Sequence, residues 1–317
     1  MAKIDSIVRI SGGVLLNAPS VDSIEDIKIS SSKVKRGDLF LDINNSNEDI
    51  EIAVENGAYC ILTALIPKIS DEEIAWISVK NLDTSLIKLA RFFSNEKSFR
   101  FIPLLDVQYA LVKSLHVEEK VKLLSSSPGE ALLQILKCEN ETLFFVVHNS
   151  FIQSVDPTIK QFPKKIEPEQ IFENGLFHTS FLFKDNFVKD IRLSSFFVPY
   201  LCSLIEYLDD LNINYRIENF NSFEHFYPQF VTSKLEYSDF GTTRKVVIFE
   251  SDFELFKEEL NYLKKRVDKN LLVSFTCKDE VMKKLPKTEF RYALIHGNKD
   301  EFKELIREKQ IIQMELF

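Results

Sequence analysis

The chain reads as an α/β protein of two or three domains. Three observations predict this. Short apolar strands alternate with amphipathic helices from Ile27 to Phe93, the alternation returns from Lys245 to Gln310, and 317 residues suffice for more than one core. Strands and helices alternating at this spacing imply parallel sheets with right-handed crossovers.

Each element follows from local pattern. Ile7 to Leu16 alternates around Gly12-Gly13, which predicts a β-hairpin. Ile27 to Ser30 and Asp38 to Ile43 read as strands, with Gly37 supplying a tight turn between them. Asp49 to Gly57 has helical spacing at Ile50, Ala53 and Val54 and ends on Gly57, a C-terminal capping residue. Cys60 to Leu65 and Trp76 to Val79 are short strands, and Leu82 to Phe93 is an amphipathic helix that closes a first domain, residues 1–98. Phe99 to Lys113 reads as strand, turn and helix. Ser127-Pro128-Gly129-Glu130 starts a further helix, with Ser127 as N-cap, Pro128 at the first position and Glu130 at the third. Thr142 to His148 has the pattern of a buried strand, and Ile191 to Leu201 leads into an apolar helix. After residue 217 come strand Lys245 to Phe249, helix Asp252 to Arg266, strand Leu271 to Thr276, helix Glu280 to Leu285, strand Tyr292 to His296 and helix Asp300 to Gln310.

Charge and cysteine usage narrow the function. A net charge of −8 argues against direct nucleic-acid binding, because neutralising phosphates takes a basic surface. The N-terminus lacks a signal-peptide core and no long uncharged apolar run occurs, so a cytoplasmic protein without membrane insertion is expected. Cys60, Cys138, Cys202 and Cys277 are far apart within apolar stretches and read as buried free thiols.

Residues Lys33 to Phe40, followed by Glu55-Asn56-Gly57-Ala58 and the apolar stretch Tyr59 to Thr63, carry a family resemblance. They resemble the N-terminal, nucleotide-sugar-binding domain of the Mur ligases, ATP-dependent enzymes that build the peptide of bacterial peptidoglycan. The likeness is closest to the members that add diaminopimelate or D-alanyl-D-alanine. It implies three α/β domains: the nucleotide-sugar-binding-like domain 1–98, a shortened central ATPase-like domain 99–217, and a Rossmann-like domain 218–317 with a terminal peptide.

The chemistry of that family does not follow from its motifs here. A glycine-rich loop of the form GxxGKT is required, because closely spaced backbone N–H groups wrap the phosphates and a lysine neutralises them. The corresponding segment, Phe99 to Lys113, has no glycine; Val107 and Gln108 would hold the backbone off a phosphate and Asp106 would repel it. Where the family has an acid leading to its magnesium site the chain offers Val147-His148-Asn149-Ser150, and Mg²⁺ prefers carboxylate and phosphate oxygens. Lys160, Lys164 and Lys165 lie outside any match to the family's carbamylated-lysine motif and read as a solvated basic patch. The substrate loop after the first strand of the last domain is replaced by Glu250-Ser251-Asp252, where Ser251 or Asp252 caps the next helix. No catalytic residue, metal or cofactor is therefore expected.

Two sets of residues remain as binding candidates. Ser31 falls where the family has the serine of its Asp-Ser-Arg element, and Asn44 and Asn45 stand in a shortened loop, so these three would carry residual binding of a UDP-linked precursor. Gln313-Met314-Glu315-Leu316-Phe317 resembles the short peptide by which bacterial replication and repair proteins bind the DNA sliding clamp. In that mode Leu316 and Phe317 fill a hydrophobic pocket, Met314 stands for leucine, and Gln313 bonds at the rim. The alternative is an apolar helix stripe, Phe302, Leu305, Ile306, Ile312 and Leu316, packed on the last sheet.

The expectation is a non-catalytic Mur-ligase-like protein, a scaffold or regulator whose protein partners belong to peptidoglycan-precursor synthesis. The alternatives are an interaction protein docking on the sliding clamp, and an active ligase with an unrecognised nucleotide site.

Overall fold

The computed structural model describes residues 2–147, 150–159, 165–218, 220–221 and 223–306. The chain divides into two compact units, residues 1–105 with 118–162 and residues 106–117 with 163–317.

In the first unit four parallel strands, Ile27–Lys28, Leu39–Leu41, Cys60–Thr63 and Ala75–Ser78, lie side by side in chain order. Val14–Leu15 adds antiparallel to Ala75–Ser78 at one edge. Successive side chains of a strand point to opposite faces, which sorts this sheet cleanly. Leu39, Leu41, Leu62 and Ile77 face one core, together with Leu86 and Leu89 of helix Leu82–Glu96. Phe40, Ile61 and Trp76 face the other, against Ile50 and Ala53 of helix Asn47–Glu55. The first of these cores continues into a parallel three-stranded sheet, Val121–Leu123, Leu143–Val147 and Arg100–Leu104, through Leu132 and Ile135 of helix Pro128–Lys137 and through Phe144. Burying apolar side chains like these contributes roughly 1.5–3 kcal/mol each, and this shared core joins the two sheets within the unit.

Two expectations for this unit are corrected. Residues Ile4–Ser11 form a helix, not the first arm of a hairpin. Ile4, Ile7 and Ser11 recur at helical spacing on its buried face, and Gly12, at φ 72°, terminates it by donating its N–H to the Val8 carbonyl at 3.0 Å. The glycine pair is a helix stop. Strands Ile27–Lys28 and Leu39–Leu41 are parallel, so Gly37 cannot join them by a tight turn; the chain crosses over through the 3₁₀ turn Ser31–Lys33 before Gly37, at φ 96°.

In the second unit strands Tyr227–Val231, Lys245–Glu250, Tyr292–His296 and Leu272–Phe275 form a sheet in that spatial order. The last three are parallel; Tyr227–Val231 is an antiparallel edge that sequence reading did not find. Helix Phe253–Arg266 is started by Asp252, whose carboxylate accepts the Leu255 N–H at 2.8 Å. Helix Val198–Asp210 is apolar as its sequence suggested and packs with helix Asp106–Lys113. Gln170–Glu173, Thr179–Phe183 and Asn186–Ile191 form an antiparallel meander. Of the helix expected from Asp300 to Gln310, the described part is a 3₁₀ turn, Lys299–Phe302, capped by Asn298 and Glu301; residues 307–310 lie outside the described residues.

All four cysteines are free, but only Cys60 and Cys202 are buried; Cys138 is half-buried and Cys277 exposed, because it precedes helix Lys278–Lys284 at its solvent-facing start. Burial pushes the Cys202 thiol up to about 12 and that of Cys60 higher still, which makes both inert. Among the described residues no helix is long and apolar enough to cross a membrane.

Candidate functional site

The loops that follow the first two parallel strands bring Ser31 and Asn44 onto one carboxylate. Ser31 is buried in the 3₁₀ turn, and its hydroxyl donates to Asp49 Oδ1 at 2.6 Å. The Asn44 amide donates to Asp49 Oδ2 at 3.2 Å. The Ser31 hydroxyl, then Asn44 and the Ser46 cap, hold the Asp49 carboxyl below the usual range. Asn45 does not join this group; at φ 53° it makes the turn into helix Asn47–Glu55, which Ser46 caps by accepting the Asp49 N–H at 3.2 Å. Beneath the loop, the fully buried Asp42 accepts from Ser46 N at 2.9 Å and Thr63 Oγ1 at 2.7 Å. Two of the three sequence-derived candidates, Ser31 and Asn44, thus already donate to one acceptor, and Asn45 stands apart in the turn.

The segment where a phosphate loop was sought is a strand, Arg100–Leu104, followed directly by helix Asp106–Lys113. Within the second unit Val107 and Gln108 of that helix are buried, and the Gln108 amide donates to Ser203 Oγ at 3.0 Å. Of the lysines downstream, Lys165 lies over the rings of Tyr200 (4.7 Å) and Phe196 (5.3 Å) and pairs with Glu258 at 3.2 Å, so it covers aromatic surface. His148, Asn149, Lys160 and Lys164 lie outside the described residues, as do Gln313, Met314, Leu316 and Phe317. Among the described residues no three His, Cys, Asp or Glu side chains stand together as a metal site.

Sequence reading missed a buried acid–histidine cluster at the C-terminal ends of the second unit's parallel strands, the edge where α/β sheets place ligands. Glu250 ends strand Lys245–Glu250 with no exposed surface. Its carboxylate accepts from His225 Nδ1 at 2.9 Å, Phe226 N at 3.1 Å and Asp252 N at 2.8 Å. Burial pulls the His225 imidazole down, but the hydrogen bond and charge of Glu250 outweigh it and raise the net value. Glu259, on the inner face of helix Phe253–Arg266, is also fully buried, and neither of its oxygens has a hydrogen-bond partner among the described residues. Burial first, then the charge of Glu250, pushes its carboxyl well above the usual range, which favours the protonated form. The signal was readable: Leu255, Phe256, Glu259, Tyr262 and Leu263 form one helical stripe with a carboxyl in its middle.

A cleft of about 380 Å³ lies at this edge, lined by Asn221, Glu224, Tyr227, Ser251, Asn298 and Lys299. Its floor is backbone already in use: Gly297 N–H donates to the Glu250 carbonyl at 2.8 Å, and the Ser251 carbonyl accepts from His296 Nε2 at 3.2 Å. The cluster therefore ties strand ends to the following helix. It presents no nucleophile beside a base.

No family model matches the chain, and no curated protein matches it. Solved structures do. The MurF ligase from Thermotoga maritima in complex with ADP aligns over 89% of this chain and 90% of its own, at 12% identity and a TM-score of 0.54. MurF from Acinetobacter baumannii aligns over 96% of this chain and 91% of its own, at 11% identity and a TM-score of 0.55. A further structure of the D-alanyl-D-alanyl ligase from Acinetobacter baumannii gives 11% identity and a TM-score of 0.52, over 96% and 91%. At such identities the likeness speaks for fold, and it spans both units. This chain has the α/β fold of the Mur ligases.

Proposed function

We propose that this is a non-catalytic Mur-ligase-like protein, a cytoplasmic scaffold or regulator linked to peptidoglycan-precursor synthesis. One observation carries the reading: the strand–helix junction at 100–113 has no glycine, and Val107 and Gln108 at the helix start are packed inward. A phosphate loop needs several backbone N–H groups converging without side chains between them, and a junction without glycine, with Asp106, Val107 and Gln108 at the helix start, opposes that. The loss of the substrate loop supports the same reading, since Asp252 there caps a helix. Any remaining contact with a UDP-linked precursor runs through Ser31, Asn44 and Asn45, and is weak, because a ligand must compete with Asp49 for two of those donors. The test is ADP release from ATP–Mg²⁺ with a UDP-muramyl-peptide and D-alanyl-D-alanine as acceptors. Turnover is expected to be absent.

A second reading rests on Gln313 to Phe317 and makes the protein a client of the DNA sliding clamp. Under it, immobilised clamp retains the full chain and loses it when the last five residues are deleted, by at least about tenfold if Phe317 is an anchor of hot-spot strength. Equal retention of the truncated chain, or none of either, rules it out.

A further inference from the structure

The second unit carries another cavity, at the opposite end of its parallel sheet from the acid–histidine cluster. Arg244 and Arg291 stand immediately before the strands Lys245–Glu250 and Tyr292–His296. Beside them a cavity of about 340 Å³ is lined by Phe177, His178, Phe230, Phe240 and Tyr292 as well as the two arginines. A hollow of about 400 Å³ adjoins it through Leu176, Arg291 and Tyr292. Small-molecule sites run from roughly 300 to 1,000 Å³, so the space suits a compact ligand.

One wall is aromatic. Phe230 and Phe240 have ring centroids 4.7 Å apart, and Phe177 lies 6.0 and 6.2 Å from them. Phe240 is held by His178, stacked at 5.4 Å, and by the Arg192 guanidinium, 3.7 Å from its centroid. A wall braced in this way is in place before a ligand arrives, which lowers the ordering cost of binding.

The rim is cationic. Arg244 and Arg291 are exposed, and neither guanidinium has a carboxylate or hydrogen-bond partner among the described residues; that of Arg291 lies 5.3 Å from the Tyr292 ring centroid. Arg266 nearby is different, being held by Glu173 at 2.8 Å. Among the described residues no Asp or Glu lines the 340 Å³ cavity, although the chain carries a net charge of −8; the adjoining hollow is lined by Glu173, which is engaged by Arg266, and by Asp268. A concave surface of one sign with low-dielectric walls concentrates counter-ions. Its mouth is open: at Gly175 and Gly241 a Cβ would meet no atom within 4 Å.

We propose that this cavity binds a nucleoside diphosphate, with the base against Tyr292 and the phenylalanine wall and the phosphates on Arg244 and Arg291. Guanidinium groups meet phosphate oxygens through paired N–H donors, and flat rings stack on flat rings. This ligand site is separate from the Ser31 loop and independent of the reading that ATP chemistry is lost.

The experiment is calorimetric titration of the full chain at low salt with UDP, ADP, uridine and pyrophosphate. Saturable binding of a nucleoside diphosphate is expected, weakened by added salt and by at least about tenfold in Arg244→Ala/Arg291→Ala, and unchanged in Lys283→Ala, an exposed lysine of helix Lys278–Lys284 outside the cavity. Both arginines are exposed, so the double variant keeps its fold, which its thermal melt verifies. Absence of saturable binding at millimolar ligand overturns the proposal, as does unchanged affinity in the double variant. An equal loss in Lys283→Ala, which removes a remote positive charge, leaves only a non-specific charge effect and overturns it too. Pyrophosphate binding as tightly as UDP or ADP removes the role of the aromatic wall and with it the nucleoside.

Discussion

Glu259 is the residue with the largest conflict between its chemistry and its surroundings, a carboxyl without exposed surface or hydrogen-bond partner among the described residues. Its folded-state value is raised, so between the ordinary 4.5 and that value the folded chain binds a proton that the unfolded chain has released. Stability therefore falls as pH rises from 4.5. His225 acts in the same direction: its raised value gives stability that is full below 6.5 and is lost as pH climbs through the folded value. Asp49 and Glu173 act oppositely, because Ser31 and Arg266 respectively hold them low, so their contribution is lost in acid below the ordinary carboxylate values. The melting temperature should accordingly decline from pH 5.5 to pH 8.5. Glu259→Gln, which cannot ionise, should flatten that decline and raise the pH 8.5 midpoint; each 1 kcal/mol recovered is about 2–4 °C for a unit of this size. A variant that melts lower than the parent at pH 8.5 would show that burial does not raise the Glu259 carboxyl.

At the scale of elements, Gly13 gives the sharpest test of packing. A Cβ there would stand 2.5 Å from Ile77 Cγ2 and 3.2 Å from the Ser78 carbonyl, because Val14–Leu15 must run tight against Ala75–Ser78. Gly13→Ala should destabilise the first unit by about 1–3 kcal/mol in denaturant unfolding, the usual cost of overpacking. A cost near zero would mean that this edge strand is not seated as described. The same glycines explain where sequence reading succeeded and failed. Helix Asn47–Glu55 was legible because Ile50 and Ala53 share a face and Gly57 follows, at φ 92°. Ile4–Ser11 was not, because Ile7, Val8 and Ile10 fit either period and Gly12-Gly13 serves a hairpin turn or a helix stop equally well. Strand Tyr227–Val231 escaped because its half-buried, proline-containing run lacks an apolar alternation. Ser31 and Asn44 were picked out by position in a motif, but their shared acceptor, Asp49, is 18 residues from one and 5 from the other, and only the fold joins them.

At the scale of the molecule, this chain keeps the Mur-ligase α/β fold over both units while its 100–113 junction lacks a phosphate loop. Function resides in sites rather than folds, so conserving an architecture does not conserve its chemistry. The cavity lined by Arg244 and Arg291 is the place proposed here for a ligand apart from that junction. The most direct measurement is single-turnover ADP release from ATP–Mg²⁺ with the purified full chain, supplied with a UDP-muramyl-peptide and D-alanyl-D-alanine, beside a MurF ligase as positive control. Release no faster than in buffer, with the control active, is the result expected of a chain without the phosphate loop. ADP release that depends on the acceptor and on Mg²⁺ would contradict it and make the protein a ligase.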